Sequence, residues 1–207
     1  MAKNMIIETL SLEENNLSNY VFDRDRPDLN AVIHVKEDLE NPIIRLDAVV
    51  DQSARQIFNT LQGTNQISQW FGERCLLSRM VESQPSGSEV FVMVLQFPPP
   101  ANQIVIYYKR FLKYSDQQSS AYKLMYSSKG LENYQPPANF CKQVLSETKI
   151  KLSGSEAGQR ASFAQFGIVL RQSQSEPPKG SKQAPKALTK VFYLQQMDFG
   201  GYIMPNQ

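Results

Sequence analysis

At 207 residues the chain has room for one large domain or two small ones. Apolar residues make up 41% and charged residues 20%, the balance of a soluble globular protein, and no apolar run approaches the ~18 residues of a membrane-spanning helix. The net charge of +2 conceals an asymmetry, with 11 acids and 5 bases in residues 1–51 against 9 acids and 17 bases in residues 52–207. The basic excess fits either docking to an anionic membrane surface or solvated loop lysines.

The N-terminus carries a short apolar patch followed by Glu8, which makes a poor secretion signal. Residues 5–17 have the spacing of a short, weak helix. Asp23 to Asp28 has the composition of a turn. Residues 31–36 and 43–50 are short, β-branched and bounded by turn residues, so both are expected strands. Asp51 is the expected cap of a helix over 52–62 that ends at Gly63, with Ile57, Phe58 and Leu61 on one face. A second short helix is expected over 65–71, ending at Gly72 with Trp70 and Phe71 on its apolar side.

Four strands follow at regular spacing, over 74–82, 89–97, 103–114 and 121–127, with polar or Pro-rich turns between them. This spacing predicts an antiparallel meander. Residues 128–142 read as a loop around Pro136 and Pro137. Residues 143–152 and 162–172 read as further strands. The segment 173–186 is polar, Pro-rich and of low complexity, which predicts a disordered insertion in a hairpin. A last strand runs over 188–197, and Asp198 leads into Gly200, Gly201, Tyr202 and Pro205, a strand stop with a helix-start signal.

Signatures of chemistry are sparse. His34, in a strand, is the single histidine, so a His-based triad or metal cluster lacks material. Cys75 and Cys141 have no metal-ligand spacing and read as free thiols of a reducing compartment. No glycine-rich phosphate loop exists. No cofactor or metal is expected, and no enzyme activity. Aromatics and bases interleave in residues 106–111, a pattern that could stack bases. Strand alternation, however, splits the segment into two faces that each mix apolar and basic residues, so no nucleic-acid partner is expected. The nine Tyr, eleven Phe and seven Met instead suit a concave apolar pocket.

The order of helix, strands, two helices, meander and closing junction resembles the StAR-related lipid-transfer (START) domains of the helix-grip superfamily, across roughly residues 19–205. Pro42 to Asp51 followed by Gln56 to Leu61 is similar to the family's strand leading into its second helix. Trp70 resembles its Trp before the fourth strand, Pro99 or Pro100 through Arg110 its Pro-led strand start, and Asp198 to Pro205 its closing junction. Asn102-Gln103 stands where the family has an Arg-Asp pair, and the closing helix is absent from this chain.

The resemblance implies an α+β helix-grip fold, a curved antiparallel sheet of about eight or nine strands around short helices, forming a single domain over 1–207. It implies a hydrophobic lipid ligand (a sterol, phospholipid or ceramide) held in an internal apolar cavity, transfer between membranes through transient surface contact, and a cytoplasmic location. Its register turns the position matching Tyr108 inward. By alternation the expected lining is Phe91, Met93, Leu95, Ile106, Tyr108, Arg110, Tyr122 and Tyr126, with Tyr108 and Arg110 as polar anchors. A helix-grip cyclase or hydrolase with a hydrophobic substrate, or a ligand-free interaction domain, would share the architecture.

Overall fold

The computed structural model describes residues 13–36, 41–63, 69, 71–84, 88–98, 103–113, 121–154, 157–174 and 187–199. Among the described residues nine strands run in chain order: β1 (Val21–Arg26), β2 (Ala31–Lys36), β3 (Ile43–Val50), β4 (Cys75–Ser83), β5 (Glu89–Gln96), β6 (Gln103–Lys113), β7 (Ala121–Ser127), β8 (Gln159–Gln174) and β9 (Ala187–Asp198). Two α-helices are described, α1 (Ala54–Leu61) and α2 (Ala138–Thr148). The strands form one sheet in the order β1-β2-β3-β9-β8-β7-β6-β5-β4, so the expected antiparallel sheet is present. The chain divides into two compact units, residues 1–62, 111–125 and 165–196 in the first and 63–110, 126–164 and 197–207 in the second.

In the first unit, residues 23–26 are strand and not turn. The Asp-Arg-Asp-Arg composition hid this because β1 is an edge strand exposed along its whole length. The turn comes later, at Pro27–Leu29, and closes at Asn30 in the left-handed region (φ 49°). Alternating acids and bases also protect the edge. Two copies of β1 paired about a two-fold axis would set like charge opposite like. The core of this unit gathers Ile43, Ala121, Met125, Val169, Phe192 and Leu194, with Tyr20 and Phe111 against it. Helix α1 is capped by Ser53 and not by Asp51. The Ser53 hydroxyl accepts from the Gln56 amide, while the Gln56 side chain accepts from the Ser53 amide. Ala54 and Phe58, one turn apart, are the residues α1 buries.

In the second unit, residues 138–148 are helix where a strand beginning at 143 was expected. Phe140, Cys141 and Val144 share one side of α2 at helical spacing and pack on Val90, Val92, Val94, Val105 and Tyr107. The helix ends at Lys149 in the left-handed region (φ 65°). Ile150 and Leu152 then follow outside any helix or strand, buried in the same core, and their alternation with exposed Lys151 imitates a strand. Pro137, immediately before the helix, was the available signal for its start.

Strand β8 also pairs with β6, in parallel, from Ile104↔Gln159 to Ile106↔Ala161. Ser128, just past the end of β7, bridges the two. Its hydroxyl donates to the Tyr107 carbonyl (2.7 Å) and accepts from the Phe163 amide (2.9 Å). The strands come so close that a Cβ on Gly158 would lie 2.6 Å from the Gln103 carbonyl oxygen. Gly158→Ala should therefore destabilise the protein by about 1–3 kcal/mol, read as a lower midpoint in urea unfolding at unchanged slope.

The expected helix over 65–71 lies largely outside the described residues. Of the expected insertion 173–186, Ser173 and Gln174 belong to β8 and are strand, while 175–186 lie outside the described residues, as do residues 200–207 of the closing junction. Among the described residues no helix is long and apolar enough to cross a membrane, and no cluster of His, Cys, Asp or Glu could hold a metal.

Candidate functional site

Strand β5 is apolar from Val90 to Leu95, and every one of these residues is buried. Such a run marks a strand covered on both faces. One face, Val90, Val92 and Val94, lies under α2 together with Val105 and Tyr107 of β6. The other carries Phe91, Met93 and Leu95, which face Tyr108, Ile106 and Ile104 across the β5–β6 ladder. Tyr126 and Phe163 join this second face.

Aromatic packing organises it. Tyr108 is the hub: its ring stacks on Phe91 at 5.5 Å and meets Tyr126 (5.6 Å) and Phe163 (5.5 Å) edge-on. Such pairs contribute about 0.5–1.5 kcal/mol each beyond area burial. Phe91, Met93, Leu95, Ile106, Tyr108 and Tyr126 are each no more than 1% exposed. Strand β4 adds Ser78, which pairs opposite Met93.

The register that pairs Val90 with Lys109 sets Glu89 beside Arg110. Arg110 donates to the Glu89 carboxylate at 3.1 Å and lies over the Phe91 ring at 4.8 Å. Arg110 is 12% exposed and Glu89 41%, so the carboxylate is the solvent-facing partner.

Burial pushes the Tyr108 and Tyr126 phenols well above their ordinary range. For Tyr108 the Ser78 side chain works the other way, although no hydrogen bond of normal geometry is completed at the Tyr108 hydroxyl. On the opposite face burial raises Tyr107 to about 12, opposed by Arg160, whose guanidinium lies 4.1 Å from the ring centroid. A phenol with a raised folded pKa favours the protonated form. Its contribution to stability is complete below the unfolded value near pH 10 and is lost as pH rises from there through the folded value. Phenolate absorbance should rise in two phases above pH 10, the later one coinciding with loss of near-ultraviolet circular dichroism. A single early phase with the fold intact would contradict this burial.

Of the eight residues expected from the sequence, Phe91, Met93, Leu95, Ile106, Tyr108, Arg110 and Tyr126 belong to this face of the second unit. Tyr122 belongs to the first unit, where it packs on Phe58 of α1 at 4.9 Å. Sequence reasoning missed Phe163, Ser78 and the pairing of Glu89 with Arg110. Alternation through β8 gave no signal for Phe163, because Phe163 and Phe166 both meet aromatics of the Tyr108 and Tyr193 kind across an odd spacing. The β5–β6 register was the signal for Glu89.

Two cavities lie elsewhere, and neither is lined by any of the eight. A groove of about 670 Å³ in the first unit is bounded by Glu14, Asp25, Asp47, Arg171, Lys190 and Phe192, among others. A smaller one of about 190 Å³ in the second unit lies by Tyr107, Ser128, Arg160 and Asp198.

Neither a scan against known family models nor a search of curated proteins finds a match. Solved structures do match in fold. Human STARD10 aligns with a TM-score of 0.65 at 14% identity, over 95% of this chain and 67% of that one. Human StAR-related lipid transfer protein 5 aligns with a TM-score of 0.67 at 10% identity, over 99% and 84%. A STAR-related lipid transfer protein from Xanthomonas axonopodis aligns with a TM-score of 0.56 at 12% identity, over 90% and 86%. With the strand order and the placement of its helices, the chain has the helix-grip α+β fold of the START domains.

Proposed function

We propose that this chain binds a hydrophobic lipid against the Tyr108 face and carries it between membranes without acting on it chemically. The observation that supports the reading most is the division of labour on β5 and β6. Helix α2 covers the valine face, while the opposite face is an aromatic and methionine surface with buried phenols and one cross-strand ion pair. Phe91, Met93, Leu95, Ile106, Tyr108 and Tyr126 supply apolar surface. Burying an acyl chain or sterol gains about 25 cal/mol per Å² of apolar surface, enough to hold a lipid after the losses of association.

The aromatic cluster is closed, so a ligand must part it. Tyr108 and Arg110 are the polar anchors. Tyr108 offers a buried hydroxyl without a completed hydrogen bond, and Arg110 exchanges the solvent-facing Glu89 for a headgroup oxygen. The lipid is a sterol, phospholipid or ceramide, and the whole chain acts as one binding domain, cytoplasmic and peripheral to membranes. A cyclase or hydrolase is the weaker reading, because Arg110 and Glu89 neutralise one another and are not poised as an acid and a base.

Lipid extraction tests this. Protein mixed with liposomes of mixed sterol, phospholipid and ceramide and then re-isolated should carry about one lipid per chain. Re-isolated folded protein with no lipid above that carried by an unrelated protein would overturn the proposal.

A further inference from the structure

The charge asymmetry of the sequence has a physical expression in the first unit. Residues 13–20 form a strap across the sheet, held by bases from three strands: Lys36 and Arg171 meet its acids, and Arg45 its backbone carbonyls. Arg45, on β3, is 4% exposed and uses all five of its N–H donors. Two go to Asp47 (2.6 and 2.9 Å), two to the carbonyls of Glu13 and Asn16 (2.9 and 3.2 Å) and one to the Glu14 carbonyl (3.2 Å). Its guanidinium lies over Phe192 at 4.8 Å and Tyr20 at 5.6 Å.

The strap's own side chains make the second set of contacts. Glu14 takes a bidentate pair from Arg171 of β8, one bond at 2.8 Å. Glu13 accepts from the Tyr20 hydroxyl (2.9 Å) and lies 3.9 Å from Lys36 of β2. Glu14 and Asn15 line the 670 Å³ groove together with Arg171 and Lys190. At the foot of the strap three large apolar side chains stand in water: Leu17 is 50% exposed, Val21 70% and Phe22 59%.

We propose that residues 13–20 are an electrostatic latch, released by an anionic bilayer. Phosphate and carboxylate headgroups compete with Glu13 and Glu14 for Lys36 and Arg171, and the strap swings away from the groove. Lys36, Arg171 and Lys190 then face the surface as one basic patch, while Leu17 and Phe22, the latter on the same face of the sheet as His34 and Lys36, insert among the acyl chains. As the strap leaves, Arg45 exchanges the carbonyls of Glu13, Glu14 and Asn16 for water or headgroup oxygens and keeps its two bonds to Asp47, so the sheet beneath is undisturbed. An anionic bilayer is the partner this combination fits, because the patch joins bases to a protruding apolar wedge. A nucleic acid would use the bases and leave the wedge unused. The inference supplies the membrane contact that the proposed lipid transfer requires, but it does not depend on which lipid is carried.

Vesicle flotation tests it with the whole chain. The protein should bind vesicles of phosphatidylcholine with ~30% phosphatidylserine more tightly than phosphatidylcholine alone, and the difference should shrink with salt. Glu13→Gln with Glu14→Gln frees two bases, and should tighten binding to the anionic vesicles about tenfold or more. The charge-matched pair Glu132→Gln with Glu147→Gln, on the exposed surface of the other unit, should gain far less. Leu17→Ser with Phe22→Ser should lose most of the binding.

Amide exchange of residues 13–20 in the unmodified protein reads the latch directly, whatever the variants do to folding. Protection should fall when anionic vesicles are added and stay constant with phosphatidylcholine vesicles. Unchanged protection at saturating vesicle binding, no preference for anionic vesicles, an equal gain from the control pair, or a matching response to an oligonucleotide would each overturn the latch. Lipid extraction with neutral vesicles is scored separately, so failure there counts against lipid carriage and not against the latch.

Discussion

Arg45→Met is expected to lower stability by about 3 kcal/mol, the low end of what breaking a buried ion pair costs. At this chain length that is a fall of roughly 10 °C in the midpoint of thermal unfolding. Methionine roughly fills the volume and keeps the contact with Phe192 and Tyr20, so lost packing is not the main effect. The loss is electrostatic and polar. Asp47, 37% exposed, surrenders two charge-assisted bonds and recovers part of them from water, which is why the low end is expected. The carbonyls of Glu13, Glu14 and Asn16 lose their common donor. Residues 13–20 should exchange their amides rapidly in the variant, even well below its unfolding midpoint. A midpoint within 2 °C of the unmodified protein would show that the five-bond guanidinium does not hold the strap.

Met93→Trp should abolish lipid uptake, by at least tenfold, if the Tyr108 face lines the binding site. Met93 is fully buried between Ser78 and Ile106, so an indole must fill whatever space a ligand would open. The same overpacking costs about 1–3 kcal/mol of stability, which makes the folded fraction a necessary control. Tyr108→Phe removes one hydroxyl and little volume. It should leave the fold intact and weaken uptake of a lipid that presents a polar group there. Tyr107→Phe, on the α2 side of the sheet, should leave uptake unchanged. If Met93→Trp and Tyr108→Phe both take up lipid as the unmodified protein does while remaining folded, the assigned face is wrong.

Most of the sheet was legible because its strands are short, β-branched and separated by unmistakable turns. The bounds of β2, β3 and β7 follow directly from that pattern. Two elements escaped it for opposite reasons. The Asp-Arg-Asp-Arg of β1 lacks an apolar face because an edge strand has no core to meet. Residues 143–152 combine the last turns of a helix with a buried Ile150 and Leu152 outside any regular element, and the alternation of the second part masked the helical spacing of Phe140 and Val144 in the first.

The faces of β5 and β6 were legible as two sets, since alternation fixes which residues travel together. Which set the helix covers was not legible, because Val92 and Met93 are equally apolar. The resemblance to START domains selected one set, and α2 packs on the other. Ion pairs were beyond reach. Glu89 and Arg110 are 21 positions apart and meet only through the ladder register, while Glu14 and Arg171 are 157 apart. The acidic N-terminal quarter and the basic remainder were plain in the composition, but composition alone did not reveal that they pair within one unit.

The central claim, a lipid held against the Tyr108 face, is tested most directly by native mass spectrometry of the protein purified under mild conditions. The account predicts a species heavier than the bare chain by the mass of a single lipid, which solvent extraction then identifies. It predicts that this species disappears in Met93→Trp and persists in Tyr107→Phe. A folded protein that shows only the bare-chain mass, even after incubation with mixed liposomes, would contradict it.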